Sequence, residues 1–487
     1  MPDRALKNST TRVLARSLYS PLSTIIRRKP VWCPPRTPLG DTLATMRQLR
    51  IGSMVVADPE SQVPLGIFTL QDLLGRVALE ECDLSQPIER VMTSPVVTLE
   101  PQVSAYQAAV TMTRHGLRHV VVVEQGRLVG VVSQKDLFNL QRTGTVEIGT
   151  AIQAAGDLDA LKRAARDIRE LTRSMLEQGV GAEPLTQVIS ALNDLLTIRI
   201  IELVRARHTL PEAKLCWLAM GSEGRYEQTI STDQDNGLMF DAPEASVDET
   251  RNALVPFARE VNEALDACGF PLCRGGVMAG NPQWCLSAEE WRRQCHGWIR
   301  SQNPQALLNA VIFFDFRPLW GDAALAEDLR GWLLGATGAN PLFMYQMAQT
   351  ALGVRSPLGI LRDFVYDEPK NFPHTIDLKA HGTRLFVDAA RVYALANGVA
   401  HTNTVQRLRL AAPEIGLGSD EAEAAVQAFN ILQLMRLRSQ LAPDVKPGAE
   451  NRVDPDTLNE LERHILKESL RQARRLRQRL ELDYRSR

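Results

Sequence analysis

Leu215-Cys216-Trp217-Leu218-Ala219-Met220-Gly221-Ser222-Glu223-Gly224-Arg225-Tyr226-Glu227-Gln228-Thr229-Ile230-Ser231-Thr232-Asp233-Gln234-Asp235 joins an apolar run to a Gly-Ser turn and then to a pair of aspartates. Leu215 to Met220 reads as a buried strand, and Gly221-Ser222 directly after it forms a turn whose backbone amides approach an anion closely. With a following helical turn, such amides hold phosphates. Asp233 and Asp235 lie two residues apart ahead of Leu238-Met239-Phe240, a second strand, so both carboxylates are expected to project from one face. Two carboxylates on one face share a divalent metal. Magnesium takes hard oxygen ligands, commonly one or two carboxylates plus substrate phosphates, and a two-metal site activates an attacking oxygen while neutralising a leaving pyrophosphate. Nucleotidyl transfer is the chemistry that uses all of these parts.

A Gly-Ser turn, a spacer of about ten residues and Asp-x-Asp resemble the DNA polymerase beta-type nucleotidyltransferase motif. The fuller wording, Gly-Ser-Glu-Gly-Arg-Tyr-Glu-Gln-Thr with Thr-Asp-Gln-Asp-Asn, resembles the bacterial CBS-domain-linked nucleotidyltransferases, relatives of the glutamine synthetase adenylyltransferases and PII uridylyltransferases. The resemblance implies a mixed sheet carrying Asp233 and Asp235 as metal ligands, and a third carboxylate from a later strand. Phe313-Phe314-Asp315-Phe316-Arg317-Pro318 offers the Asp-x-Arg context, which makes Asp315 the expected third ligand and activator of the acceptor hydroxyl, with Arg317 near phosphate. A structural salt bridge between Asp315 and Arg317 explains the same residues. Arg225 contacts triphosphate while Glu227 braces the loop, or the two pair with each other. Magnesium or manganese, with ATP or UTP as substrate, is what the resemblance implies.

An internal repeat precedes this region. Pro64-Leu65-Gly66-Ile67-Phe68-Thr69-Leu70-Gln71-Asp72-Leu73 recurs as Leu128-Val129-Gly130-Val131-Val132-Ser133-Gln134-Lys135-Asp136-Leu137, each copy after a helical stretch and a strand. The pattern resembles a tandem CBS-domain pair over residues 20–142. In that family the hydroxyl residue and the following Asp contact an adenine nucleotide, which brings forward Thr69, Asp72, Ser133 and Asp136; a helix N-terminus suits phosphate and a carboxylate accepts ribose hydroxyls. The competing reading makes Thr69 and Ser133 helix caps. Such pairs commonly associate face to face, so a homodimer is expected. Longer relatives carry a cyclic-nucleotide-binding domain before the pair; only some twenty residues precede it here, and cyclic-nucleotide control is not expected.

The chain has 487 residues and a net charge of −1. That length exceeds a single core, and near-neutrality argues against an obligate nucleic-acid partner. No apolar run reaches membrane-spanning length and no secretory signal is evident, so the expected location is cytoplasmic. Seven cysteines without framework spacing fit reduced thiols, and Cys268, Cys273, Cys285, Cys295 and His296 lack zinc-site spacing. Helical periodicity predicts a connector over 150–208, with the nucleotidyltransferase domain at 209–325. A helical bundle over 330–487 follows, broken at Pro357, Pro373, Pro443-Asp444 and Pro447-Gly448. The resemblance makes that bundle a substrate-binding domain, with Lys379 and Arg384 facing a cleft or simply solvated. The basic run Arg471 to Arg479 attracts an acidic partner or forms the solvated face of a terminal helix. The expected whole is an enzyme moving a nucleoside monophosphate to an acceptor hydroxyl, on a regulatory protein by family analogy. A catalytically silent nucleotide sensor and an enzyme acting on a small molecule or a nucleic-acid end are the alternatives.

Overall fold

The computed structural model describes residues 21–26, 29–49, 51–78, 82–115, 117–301, 303–359, 364–366, 371–442 and 445–485. Residue 20 and the Pro443-Asp444 break lie outside them. Contacts divide the chain into two compact units, Met1–Glu147 and Ile148–Arg487.

The repeat is a repeat in three dimensions. In the first unit, β1 (Trp32–Cys33), β2 (Ser53–Ala57) and β3 (Pro64–Thr69) form one sheet, and β4 (Thr98–Leu99), β5 (His119–Glu124) and β6 (Arg127–Ser133) form another. Each has a parallel pair followed by an antiparallel pair. Ser53 faces Thr69 and His119 faces Ser133, so both hydroxyl residues end their strands at equivalent places. Helices Leu39–Leu49 and Ala105–His115 accompany the sheets. Val55 and Ile67 of one copy bury against Val121, Val123 and Leu128 of the other. One copy alone leaves that apolar surface in water, which is the physical reason the copies come paired.

The second unit is built on β7 (Lys214–Ala219), β8 (Asn236–Asp241), β9 (Cys285–Ser287) and β10 (Arg317–Gly321), in the order β10-β7-β8-β9. β7 runs antiparallel to both neighbours and β8 parallel to β9. The near-continuous apolar character of β7 and β8 follows from burial on both faces. Leu215, Trp217, Leu238 and Phe240 pack with helices Leu158–Glu177, Ala182–Arg205 and Val247–Ala267. Cys216, Leu218, Met220 and Met239 turn the other way, into a core shared with the helices that follow, through Glu460–Asp483. The helices expected as a connector therefore cover the sheet. The bundle likewise shares its core with the opposite face. In the basic run, Arg474, Arg477 and Arg479 donate to the carbonyls of Leu358, Leu352 and Ile415, so part of it ties the last helix to the bundle. No helix among the described residues is long and apolar enough to cross a membrane.

Candidate active site

Strand pairing brings the turn and the aspartates together. Ala219 faces Asn236 where β7 ends and β8 begins, and the Met220 amide donates to the Asp235 carbonyl at 2.9 Å. The chain then turns at Gly221, with φ +55°, into the short helix Gly221–Gly224. A Cβ at Gly221 would lie 2.6 Å from Asp235 Oδ2. Glycine is thus required twice, for its left-handed backbone and for the carboxylate against it.

Asp233 and Asp235 precede β8 rather than lying on it. The alternate residues Thr232, Gln234 and Asn236 are buried. Thr232 Oγ1 donates to the Thr229 carbonyl at 2.9 Å. Gln234 Nε2 donates to the carbonyls of Asn262 and Phe270 at 2.9 and 2.8 Å, and Asn236 Oδ1 accepts from Asn262 Nδ2 and the Ala279 amide. With those three anchored, the period of two directs both aspartates to the opposite side.

Their electrostatics are those of an anion pair short of positive charge. Burial, then the neighbouring Asp233 carboxylate, pushes Asp235 up to about 7. The buried Glu223 is pushed to about 8, by burial first and then by Asp194 and Asp235, against the lowering effect of Arg317. Cys273 Sγ donates to Asp235 Oδ1 at 3.5 Å, and Lys379 Nζ lies 3.7 Å from Asp233 Oδ1. Among the described residues no three His, Cys, Asp or Glu side chains converge as a metal-ligand set. Two hard carboxylates beside the Gly221 turn nonetheless fit magnesium, which completes its shell with water and substrate oxygens.

Asp315 is where the structure departs from expectation. It sits in the turn between helix Pro304–Phe313 and β10, fully buried, and its oxygens are taken by three guanidinia. Arg225 Nη1 donates at 2.7 Å, Arg391 Nη2 at 2.6 Å and Arg407 Nη1 at 2.5 Å. Burial by itself would raise its pKa, but Arg391, Arg407 and Arg225 outweigh burial and hold it far below the carboxylate range. Among the described residues it does not converge with Asp233 and Asp235 as a ligand set, and its hydrogen bonds go to arginines instead. Its partner is not Arg317 either. Arg317 opens β10, donates to the Glu223 carbonyl at 3.1 Å and Asp194 Oδ1 at 2.6 Å, and stacks on Tyr226 with its guanidinium carbon 3.9 Å from the ring centre. These contacts tie Arg317 to the Glu223 end of the turn and to helix Ala182–Arg205. Arg225 is likewise committed, to Asp315 and to Glu227 Oε2 at 2.8 Å; of the two readings of this pair, mutual pairing is observed.

The rest of the signature bolts the turn to the bundle. Glu227 Oε1 accepts from the Thr404 amide at 2.5 Å, Thr402 Oγ1 donates to the Gly224 carbonyl at 2.6 Å, and Gln440 Oε1 accepts from the Ser231 amide at 3.3 Å. A Cβ at Gly224 would lie 1.7 Å from the Asp315 carbonyl oxygen, so glycine there permits the close packing. Arg391, Arg407 and Cys273 were not singled out for this centre from sequence; nothing local marks them, since their partners lie 76, 92 and 38 residues away. Arg384 pairs with Asp388 Oδ2 at 3.1 Å.

In the first unit, Thr69 and Ser133 are helix caps bonded to the aspartates three residues on. Thr69 Oγ1 donates to Asp72 Oδ2 at 2.8 Å and Ser133 Oγ to Asp136 Oδ2 at 2.5 Å. The copies then differ. Asp72 is buried and its second oxygen accepts from Thr93 Oγ1 at 2.9 Å. Asp136 is exposed, and its Oδ1 has no hydrogen bond among the described residues.

Comparison with known proteins follows the same division. Residues 166–305 match the family model described as "Putative nucleotidyltransferase DUF294", and residues 341–484 match "Putative nucleotidyltransferase substrate binding domain". Residues 22–79 and 88–142 each match the CBS domain. An uncharacterized protein of Methanopyrus kandleri is 32% identical over 98 residues, 20% of this chain and 50% of that protein. The CBS domain-containing protein YhcV of Bacillus subtilis is 29% identical over 103 residues, 21% of this chain and 72% of that protein. Among solved structures, a CBS domain protein from Pyrobaculum aerophilum complexed with AMP is 30% identical, covering 24% of this chain and 88% of that chain at a TM-score of 0.23. The chain spans half the length of the Methanopyrus protein it matches.

Proposed function

We propose that the second unit is a metal-dependent nucleotidyltransferase of the polymerase beta-like type. It moves a nucleoside monophosphate from ATP or UTP to an acceptor hydroxyl, with pyrophosphate leaving. The observation that carries this reading is the meeting of the Gly221 turn with Asp235 across the β7–β8 pair, Asp233 beside it. Asp233 and Asp235 would hold magnesium or manganese, which when bound supplies Lewis-acid stabilisation of charge at the reacting phosphate. Gly221 and Ser222 would offer backbone amides to the triphosphate. Arg225, Arg317 and Asp315 act one step back, fixing the turn against the bundle so that the aspartates and the phosphate chain keep a single geometry.

The acceptor in this reading is carried by the bundle, and by family analogy is a hydroxyl on a regulatory protein. The CBS pair senses an adenine nucleotide and joins two copies of the chain in the cytoplasm. Within the pair the second repeat is the better ligand site, because Asp136 keeps an oxygen for a ribose hydroxyl whereas both oxygens of Asp72 are used internally.

Release of pyrophosphate from ATP or UTP, with magnesium and a reduced lysate as the source of acceptor, tests the reading. Wild type is expected to release it and the Asp233→Asn/Asp235→Asn protein is not. Nucleotide binding without release by either protein would move the function to sensing.

A further inference from the structure

The cation beside the aspartates comes from the bundle. Lys379 Nζ stands 3.7 Å from Asp233 Oδ1, the one ion pair Asp233 makes among the described residues. The Lys379 and Asp233 side chains are 52% and 48% exposed. A pair so exposed is weak and exchangeable, and a lysine tip swings freely on its four-carbon stem.

The base of that stem is fixed. The Lys379 amide donates to Asp377 Oδ1 at 2.9 Å, and the residue opens a single π-turn, Lys379–Thr383. Thr383 is buried and bonded to the Leu378 carbonyl and to Arg436 Nη1. Isolated π-turns of this kind are frequent at functional sites. A rigid backbone therefore presents a mobile cation to the two carboxylates.

We infer that Lys379 is an exchangeable counter-ion, paired with Asp233 while the aspartates lack a divalent cation and transferred to the phosphate chain when cation and nucleotide arrive. The inference rests on the metal and nucleotide reading above. An ammonium and a divalent ion both seated against Asp233 would repel each other strongly at about 4 Å. The nucleotide relieves the conflict, since its terminal phosphates retain negative charge beside the pair and accept the ammonium. Lys379 thus opposes metal binding without nucleotide and favours nucleotide binding with metal, so that the two bind together rather than singly.

The test measures the two affinities separately in wild type, Lys379→Met and Arg384→Met. Mn2+ alone is titrated by the electron paramagnetic resonance of free Mn2+, and the alpha,beta-methylene analogues of ATP and UTP with magnesium are titrated by calorimetry. Lys379→Met is expected to bind Mn2+ about two- to five-fold tighter and the analogue about tenfold weaker, while Arg384→Met matches wild type in both. Unchanged or weaker Mn2+ binding by Lys379→Met, with wild type binding normally, overturns the exchange alone. So does unchanged analogue binding. Wild type that binds no Mn2+, or neither analogue, overturns the underlying reading together with it.

Discussion

Replacing Asp315 with asparagine separates two incompatible roles for one residue. The substitution keeps the shape and removes the charge that three buried guanidinia share. Arg391 would still have Asp388 Oδ1 at 2.7 Å and Arg225 would still have Glu227 Oε2 at 2.8 Å. Arg407 would keep only neutral acceptors, the His401 carbonyl at 2.6 Å and the new amide oxygen, leaving a cation that is 1% exposed without an anion. Stranding one buried charge costs about 3–5 kcal/mol. Spread over the unfolding entropy of the roughly 340 residues in the second unit, that is a Tm lower by about 4–7 °C. Thermal unfolding of metal-free protein at neutral pH, read by tryptophan fluorescence, measures it, and Mn2+ affinity should stay within a few-fold of wild type. A metal ligand behaves in the opposite way, since removing one of several crowded carboxylates relieves an empty site. An Asp315→Asn protein with unchanged or higher Tm and no Mn2+ binding would refute the arginine-hub assignment.

Other consequences follow from the same geometry. Gly221→Ala places a methyl group against Asp235 Oδ2 in a left-handed backbone position, and should cost about 1 kcal/mol or more in stability and at least about tenfold in Mn2+ affinity; retained affinity would contradict the close approach of Asp235 to the turn. The raised pKa values of Asp235, about 7, and Glu223, about 8, mean that between about pH 4 and 8 the folded protein binds more protons than the unfolded chain, so these groups lower stability as pH rises. The Tm advantage of Asp235→Asn over metal-free wild type should therefore grow from pH 5 to pH 8, while wild-type Mn2+ affinity tightens over the same range; an advantage that shrinks with pH would contradict this. In the first unit, Asp136→Ala should abolish AMP binding in calorimetry with little change in Tm. Asp72→Ala should instead lower Tm by removing a buried acceptor of three hydrogen bonds, and a wild-type stoichiometry of two AMP per chain would contradict the asymmetry.

What the chain disclosed in advance was local. An apolar strand, a glycine turn and aspartates two apart carry their geometry within some twenty residues, and a repeated ten-residue pattern carries its own register. Asp315 resisted because Phe-Asp-Phe-Arg reads the same whether the aspartate meets a metal or a guanidinium. The choice was made by Arg391 and Arg407, 76 and 92 residues further on. Glu227 likewise owes its place to Thr404, 177 residues away. The helices over 150–208 announced an apolar stripe but not its partner, which proved to be Trp217, Phe240 and their neighbours on one face of the sheet. Asp72 and Asp136 occupy identical sequence positions, and the hydroxyl of Thr93 is what makes them different.

Parallel incubations with alpha-labelled and gamma-labelled ATP and UTP, magnesium and a reduced lysate bear most directly on the central claim. Nucleotidyl transfer predicts that alpha label becomes attached to an acceptor, that gamma label leaves as pyrophosphate, and that both events vanish in Asp233→Asn/Asp235→Asn. Gamma label on the acceptor, or alpha label attached equally well by the double variant, would contradict it.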